Sequence, residues 1–410
     1  MALKKPLNLP KQSSIERMAG GIIGVHDNIS PTTRPLGALS VCRNLIRYGE
    51  TAAMTRPGRE KIGLSLGSGP VLGVAVYFKS DGTKRLIAGV GNKWKAYHAG
   101  QWSDIYTPTA GKPFEAVMFG DMLILTNGTD KVQKYEGESS TSDLDGSPPK
   151  SPFIATAYRR VFLVTLPHLL VFSDVGNAEV WDPEELNDAG QLPINDKDGD
   201  EIKWVQLYKT NMVIWKRNSL HELHGPELAY LSPRWKVYNI AKLGTPNGRT
   251  VAEVNGVLYW LSDTDGNTGI VRWDGGVPRL ISSPVNNVME AINWTYISEA
   301  CATAWNGYYI LSVPTGDSTE ANQQIFYNTV DQSFWLGDGW LPTKFTVYRP
   351  TGQEEVVMGD QDGSVYKIGG TKDNGVAIHV EAVLGPTALD INTREKRVRR
   401  GYISVSLLEE

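Results

Sequence analysis

The stretch that decides the fold is residues 250–273, TVAEVNGVLYWLSDTDGNTGIVRW. Its apolar runs are separated by two short polar turns, Asn255-Gly256 and Asp263-Thr264-Asp265-Gly266. An Asn-Gly pair favours a two-residue hairpin turn, because both central residues of such a turn need a positive φ. The stretch therefore predicts three consecutive antiparallel strands joined by tight turns.

The same pattern, a polar turn followed by an aromatic or aliphatic strand, recurs along the chain. Asn306-Gly307 precedes Tyr308–Leu311, and Gly120-Asp121 precedes Met122–Leu125. The strands group into units of about 40–55 residues, a spacing typical of β-propeller blades. We count seven units and expect an all-β fold, a β-propeller of about seven four-stranded blades, with six or eight blades or two stacked β-sandwiches as alternatives. The pattern places the fourth strand of the third unit at Glu179–Trp181 and that of the seventh at Ile378–Val383.

The composition agrees with this architecture. The 410 residues include 42 Gly, 12 Trp and 17 Tyr, which is typical of many short strands joined by tight turns. No run of about 18 apolar residues is present, so we expect no membrane span. No apolar stretch follows Lys4 and Lys5, so we expect no secretory signal. Two cysteines, Cys42 and Cys301, exclude a disulfide scaffold and fit synthesis in a reducing compartment.

Charge divides the chain into an arm and a body. Residues 1–61 hold ten Lys or Arg against four acidic residues, a net charge of +6, and the other 349 residues sum to -10. We therefore predict a basic N-terminal arm at 1–61, a propeller body at 62–390 and a basic C-terminal strand at 391–410. A basic arm on an acidic body predicts contact with an acidic partner, a neighbouring copy or DNA phosphate, and a solvated tail is the alternative.

No group of residues predicts catalysis or metal binding. His221 and His224 are three apart on a predicted strand, so they face opposite sides of the sheet. Residues 195–201 have the alternating Asp pattern of a calcium loop but lack the Glu at its twelfth position, which favours a solvated turn over a weak divalent site. Acidic pairs such as Glu184-Glu185 and Glu354-Glu355 favour a solvated surface. We expect no enzymatic activity, cofactor or metal.

The tryptophans leave two interpretations. They could stack sugars, or they could fill the radial space between blades, and the second interpretation is favoured. The residues concerned are Trp94, Trp102, Trp181, Trp215, Trp260 and Trp335.

Several short phrases occur in order over nearly the whole chain. They are Gly20-Gly21, Asn28, Pro35–Leu39, Asn44, Arg56-Pro57-Gly58, Phe119–Asp130, Val171–Asn177, Met212–Leu223, Leu243-Gly244-Thr245, Met358-Gly359-Asp360, Gly363–Tyr366 and Thr393–Ser406. In this order they resemble the β-propeller tail hub or nozzle proteins of tailed bacteriophages. Large insertions, which in some of these proteins contact fibres or form a valve, are missing here apart from residues 139–149 and 184–201. The resemblance therefore supports the hub role more strongly than it supports fibre binding or channel gating.

The resemblance implies a structural virion protein, made in the host cytoplasm and placed in the virion tail. It implies a six-fold ring that continues the DNA channel below the portal and its adaptor, or head-tail connector, and contacts other tail proteins or fibres. Double-stranded DNA would pass transiently, without sequence-specific binding. The arm would then hook to the adaptor or to a neighbouring subunit. The interface residues expected are Arg34, Arg43, Arg47, Arg56 and Arg59, with Arg397, Arg399 and Arg400 as a second patch.

Two other functions stay open on the sequence. One is a carbohydrate-binding or glycan-degrading propeller at the tail tip, which needs a Trp-lined pocket with clustered carboxylates. The other is a propeller adaptor that binds host proteins.

Overall fold

The chain folds as an all-β propeller of seven four-stranded blades, which confirms the predicted fold class and blade number. The computed structural model describes residues 21–29, 34–35, 37–49, 52–183, 188–195, 197–225, 235–348 and 354–384. Within these residues, helical structure is limited to α1 (Asn286–Glu290) and three short 3-10 turns at Gly248–Thr250, Ser283–Val285 and Trp294–Glu299. No helix in this described part has the length and apolar character needed to cross a bilayer.

Four short strands precede the blades. They are β1 (Leu39–Arg43), β2 (Leu45–Tyr48), β3 (Ala52–Thr55) and β4 (Arg59–Lys61). Strands β2 and β3 form a two-stranded hairpin of their own.

The first six blades follow one another along the chain, each a simple antiparallel meander. The first contains β5 (Val71–Phe78), β6 (Lys84–Val90), β7 (Lys93–His98) and β8 (Gln101–Tyr106). The second contains β9 (Glu115–Phe119), β10 (Met122–Thr126), β11 (Gln133–Tyr135) and β12 (Ser142–Asp143). The third contains β13 (Ile154–Ala157), β14 (Arg160–Thr165), β15 (Leu169–Phe172) and β16 (Gly190–Pro193).

The next three blades continue this order. The fourth contains β17 (Ile202–Tyr208), β18 (Asn211–Lys216), β19 (Leu220–His224) and β20 (Lys236–Ala241). The fifth contains β21 (Ala252–Val254), β22 (Val257–Thr264), β23 (Asn267–Trp273) and β24 (Arg279–Leu280). The sixth contains β25 (Cys301–Trp305), β26 (Tyr308–Val313), β27 (Gln323–Asn328) and β28 (Phe334–Asp338).

The seventh blade is closed by the two ends of the chain. Its strands β29 (Pro342–Tyr348), β30 (Glu355–Asp360) and β31 (Val365–Ile368) pair in order, and the fourth strand is β4 from the arm. Strands β32 (Lys372–Asp373) and β33 (Val376–Ala377) extend this sheet outward. The expectation that Ile378–Val383 supplies the fourth strand is wrong, because β34 (Glu381–Leu384) pairs with β1 instead. The predicted boundary at residue 61 falls at the end of β4, so the last three residues of the predicted arm belong to the propeller.

The third blade also differs from the sequence prediction. Its outer strand is β16, not Glu179–Trp181. Trp181 is 5% exposed, packs with the aliphatic cluster between the second and third blades, and donates from Nε1 to the carbonyl of Ala178 at 2.8 Å. A short run that ends in an aromatic residue resembles a strand in the sequence, even where the aromatic side chain fills the space between two blades. This resemblance explains the error.

Four of the tryptophans and the two Asn-Gly turns have the roles in the blades that the sequence predicts. Asn255 and Asn306 have positive φ angles of 51° and 44°, and a glycine follows each one. Trp94, Trp215, Trp260 and Trp335 are all at most 1% exposed. Trp215 and Trp260 meet edge to face at 5.8 Å between the fourth and fifth blades, which supports the interpretation that the aromatic residues fill the space between blades.

Candidate functional site

The described part of the arm packs on the propeller of its own chain. The backbone N–H groups of Val25 and Asn44 donate to the carbonyls of Phe334 and Leu336, both at 2.8 Å, along the outer edge of β28. An open strand edge is a site for unwanted pairing with another chain, and the arm covers this one. Contact of the arm with another subunit stays a prediction.

The centre of the arm contact is the buried guanidinium of Arg56, which is 1% exposed. It donates to both carboxylate oxygens of Asp373, at 3.1 and 2.7 Å, and to the carbonyl of Asp338 at 2.6 Å. Its plane lies 4.7 Å from the ring centre of Trp340. A bidentate, stacked arginine of this kind is geometrically specific, and lysine cannot replace it.

Asn44 completes this cluster, which we call the clasp (Asn44, Arg56, Asp338, Trp340 and Asp373). Its Oδ1 accepts from Nε of Arg56 and from the backbone N–H of Asp338, each at 2.8 Å. Its Nδ2 donates to the carboxylate of Asp338 and to the carbonyl of His379, again at 2.8 Å. The clasp therefore joins the arm, the sixth blade and the C-terminal segment through one buried hydrogen-bond network.

Gly58 permits the close approach beside the clasp. A Cβ atom at this position would lie 2.1 Å from the carbonyl oxygen of Lys372, a distance that no real side chain tolerates. Gly58 instead exchanges backbone hydrogen bonds of 2.9 Å with Gly370 and Gly369. The Arg-Pro-Gly phrase of the sequence thus has a physical role at the closure of the ring of blades.

Arg59 forms a second ion pair between the arm and the seventh blade. Its Nη1 pairs with the buried carboxylate of Asp360, and its guanidinium lies 4.4 Å from the ring centre of Tyr366. Burial raises the pKa of Asp360, and the charge of Arg59 opposes that rise. Burial, together with the hydrogen bond to Asp362, raises the pKa of Tyr366 to about 12.

The other predicted interface arginines fall into three groups. Arg43 and Arg47 pair with Asp338 and Asp331 of the same chain, at 2.7 and 3.1 Å. Arg34 donates to the carbonyls of His26 and Ile29. The second patch, Arg397, Arg399 and Arg400, lies outside the described residues. Four of the five arm arginines thus pair with aspartates of their own chain.

The loop with the calcium-like sequence is closed by an internal lysine. The ammonium of Lys216, which is fully buried, donates to the carbonyls of Ile194 and Asn195 at 3.1 Å and to the carboxylate of Asp198 at 2.6 Å. Burial raises the pKa of Asp198, but the hydrogen bond from Lys216 outweighs burial and the pKa is lowered overall. The ammonium of Lys216 therefore occupies the position that a bound metal cation would occupy. In the described residues no three His, Cys, Asp or Glu side chains converge as metal ligands.

Three neighbouring polar residues resemble a catalytic triad in type but not in arrangement. Ser219 Oγ donates to the carboxylate of Asp200 at 2.8 Å and lies 3.0 Å from Nε2 of His221. Because the hydroxyl proton goes to Asp200, the imidazole must carry its own proton on Nε2 and donate to Ser219. A catalytic triad needs the histidine in the middle, whereas here the serine is in the middle. Burial and the charge of Lys216 lower the pKa of His221, so the ring is neutral.

A cavity of about 490 Å³ lies on the propeller axis, lined by β5, β9, β13, β17 and β29. Beside it, Glu115 binds two cations. Its Oε1 accepts from Nε of Arg249 at 3.1 Å and its Oε2 pairs with the ammonium of Lys344, which also lies 5.2 Å from the ring centre of Trp204. Burial raises the pKa of Glu115, but Lys344 and Arg249 outweigh burial and lower it overall. Burial also lowers the pKa of Lys344.

The sequence alone does not reveal the groups that complete these contacts. No local pattern marks Asp338, Asp360 and Asp373 as partners of the arm arginines, and none marks the axial ion triad. The available signals were the Asn and Arg-Pro-Gly phrases, which contain Asn44 and Arg56. The acidic pair Glu184-Glu185 lies outside the described residues, and Glu355 pairs with Lys367 at 2.9 Å.

No protein-family model and no curated protein matches the chain. Among solved structures, the computationally designed protein Ika8 is similar over 76% of this chain and 99% of its own, with 12% identity and a TM-score of 0.43. The extracellular domain of a protein assigned to a hybrid two component system, BT4673 from B. thetaiotaomicron, is similar over 76% of this chain and 40% of its own, with 11% identity and a TM-score of 0.47. At these TM-scores neither similarity carries an argument about function.

Proposed function

We propose that this chain is a structural protein of a tailed phage, a subunit of the hub or nozzle ring that lies below the portal and its adaptor. The observation that supports the proposal is where the quoted phrases meet. Arg56-Pro57-Gly58 comes from the start of the chain and Met358-Gly359-Asp360 from its end, and Arg59, which follows the first phrase directly, pairs with Asp360 of the second at the seventh blade. Phrases more than 300 residues apart that form one structural unit support a resemblance that extends over the whole chain.

The contacts that close the propeller suit a protein that must withstand mechanical force. A ring of blades opens where its first and last blades meet, and here that joint is held by strand pairing of β4 with β31 and by the buried ion pair of the clasp. Breaking such a pair leaves a buried charge without a partner, which costs about 3–5 kcal/mol. A tail hub that carries the genome through a channel needs subunits that keep their shape.

The size of the axial cavity bears on the path of the genome. A volume of about 490 Å³ is that of a small-molecule pocket. DNA in our proposal therefore passes between subunits of a ring and not along the axis of one propeller. The body carries a net charge of -10 outside residues 1–61, and negative walls repel phosphate, so the duplex can move without sticking.

The proposed ring forms from copies of this chain, with six-fold symmetry, and contacts the adaptor and other tail proteins. The test is the mass of the purified full-length protein, by light scattering and by negative-stain imaging over a range of concentrations. We expect a ring of six times 45.1 kDa, alone or after addition of the adaptor. A protein that stays a 45.1 kDa monomer with the adaptor present, and that binds glycans, would reject the hub and favour the carbohydrate-binding alternative.

A further inference from the structure

The axial cavity adjoins a largely buried group of charges that do not balance. Glu115 carries one negative charge, and Lys344 and Arg249 carry two positive charges. In the described part of the chain, Glu115 is the one hydrogen-bond acceptor that the ammonium of Lys344 has. An ammonium has three N–H donors, so Lys344 retains capacity for a further acceptor. A buried surplus charge is costly unless an opposite charge neutralises it.

We propose that the axial cavity binds a small monocarboxylate, with the carboxylate at Lys344 and the rest of the molecule in the cavity. The site does not depend on the function proposed above. One negative charge balances the surplus of the triad, which favours a monoanion over a neutral ligand or a dianion. The indole of Trp204 lies beside Lys344 and supplies a flat apolar surface at the same end of the cavity.

The rest of the cavity has room for the remainder of a small acid. Consecutive residues of the inner strands of five blades line it, such as Val74–Val76 and Trp204–Leu207, so backbone groups as well as side chains form its walls and about half of its surface is polar. Its volume of about 490 Å³ lies within the range of about 300–1,000 Å³ that small-molecule sites occupy. Polar groups fix the orientation of the ligand in such sites, and Lys344 is placed to do this.

The test is isothermal titration calorimetry of the full-length protein with hexanoate and with hexanamide, its neutral counterpart of similar shape. We expect saturable binding of hexanoate and binding of hexanamide that is at least about tenfold weaker, because the amide oxygen can accept from Lys344 but carries no negative charge to balance the surplus of the triad. Lys344→Met should weaken hexanoate binding by a similar factor. This variant keeps the pair of Glu115 with Arg249.

Two further variants control the test. Lys131→Met removes a lysine whose side chain is 75% exposed and which pairs with Asp143, so it should bind hexanoate as the natural chain does. Thr346→Phe fills the cavity and should abolish binding of both compounds, and it serves as the second test if Lys344→Met does not fold. Absence of saturable hexanoate binding, equal binding of hexanamide, or full binding by Thr346→Phe would each overturn the proposal.

Discussion

Replacing Arg56 by methionine tests the clasp directly. The substitution keeps an unbranched side chain of moderate length but removes the guanidinium that is 1% exposed in the structure. The carboxylate of Asp373 then loses its partner, and the carbonyl of Asp338 and Oδ1 of Asn44 each lose a donor. The ring of Trp340 also loses the cation stacked on it.

The magnitude follows from burial. Removing one member of a buried ion pair costs about 3–5 kcal/mol, chiefly because the other charge stays buried without a partner. The side chain of Asp373 is 18% exposed, so water partly solvates the orphaned charge and we expect the lower end, about 3 kcal/mol. The melting temperature of this 410-residue chain should fall by about 3–4 °C.

The assay is thermal and urea unfolding followed by circular dichroism, with Arg43→Met as the matched control. Arg43 comes from the same arm and also pairs with an aspartate, but its side chain is 47% exposed, so its loss should cost no more than about 1 kcal/mol. Equal destabilisation by the two substitutions would refute the claim that a buried network, and not general arm charge, closes the propeller. A double-mutant cycle with Asp373→Asn should give a coupling of about 0.5–3 kcal/mol.

Three other substitutions have expected outcomes in urea unfolding. Lys216→Met should cost about 3–5 kcal/mol, because buried oxygens lose their cation, whereas Lys203→Met, which removes a half-buried pair, should cost about 1 kcal/mol or less. Gly58→Ala should cost about 1–3 kcal/mol, and Gly276→Ala, whose Cβ would meet Oδ1 of Asp274 at an ordinary contact distance of 3.5 Å, should be close to neutral. The pKa of Glu115 is lowered from 4.5, so its stabilisation is present above pH 4.5 and is lost as the pH falls through the folded pKa. The stability difference between the natural chain and Glu115→Gln should therefore shrink below about pH 4.5, and a constant difference would contradict the ion triad.

The inner strands of the blades could be predicted because the residues that specify each strand and its turn lie close together in the sequence. Asn255-Gly256 and Asn306-Gly307 specify a turn within a few residues, and the flanking apolar runs specify strands. The fourth strand of the seventh blade could not be predicted in this way. It is Arg59–Lys61, three charged residues with no apolar pattern, and it pairs with Val365–Ile368 about 300 residues further along the chain.

The candidate site shows the same division between local and distant information. The net charge of the arm indicated that Arg56 and Arg59 contact acidic groups, but composition does not say to which molecule those groups belong. Asp360 and Asp373 lie more than 300 residues from these arginines, and only the folded chain brings them together. The loop at residues 195–201 also depends on a residue outside its own sequence. The cation that it binds is the ammonium of Lys216, which lies on the next hairpin.

Electron cryo-microscopy of the tailed particles released by cells that carry this gene tests the central claim most directly. We expect six seven-bladed propellers arranged as a ring around the DNA channel below the adaptor, each with its arm on the sixth and seventh blades. Particles that lack this chain, or that carry it at the tail tip on fibres and away from the channel, would contradict it.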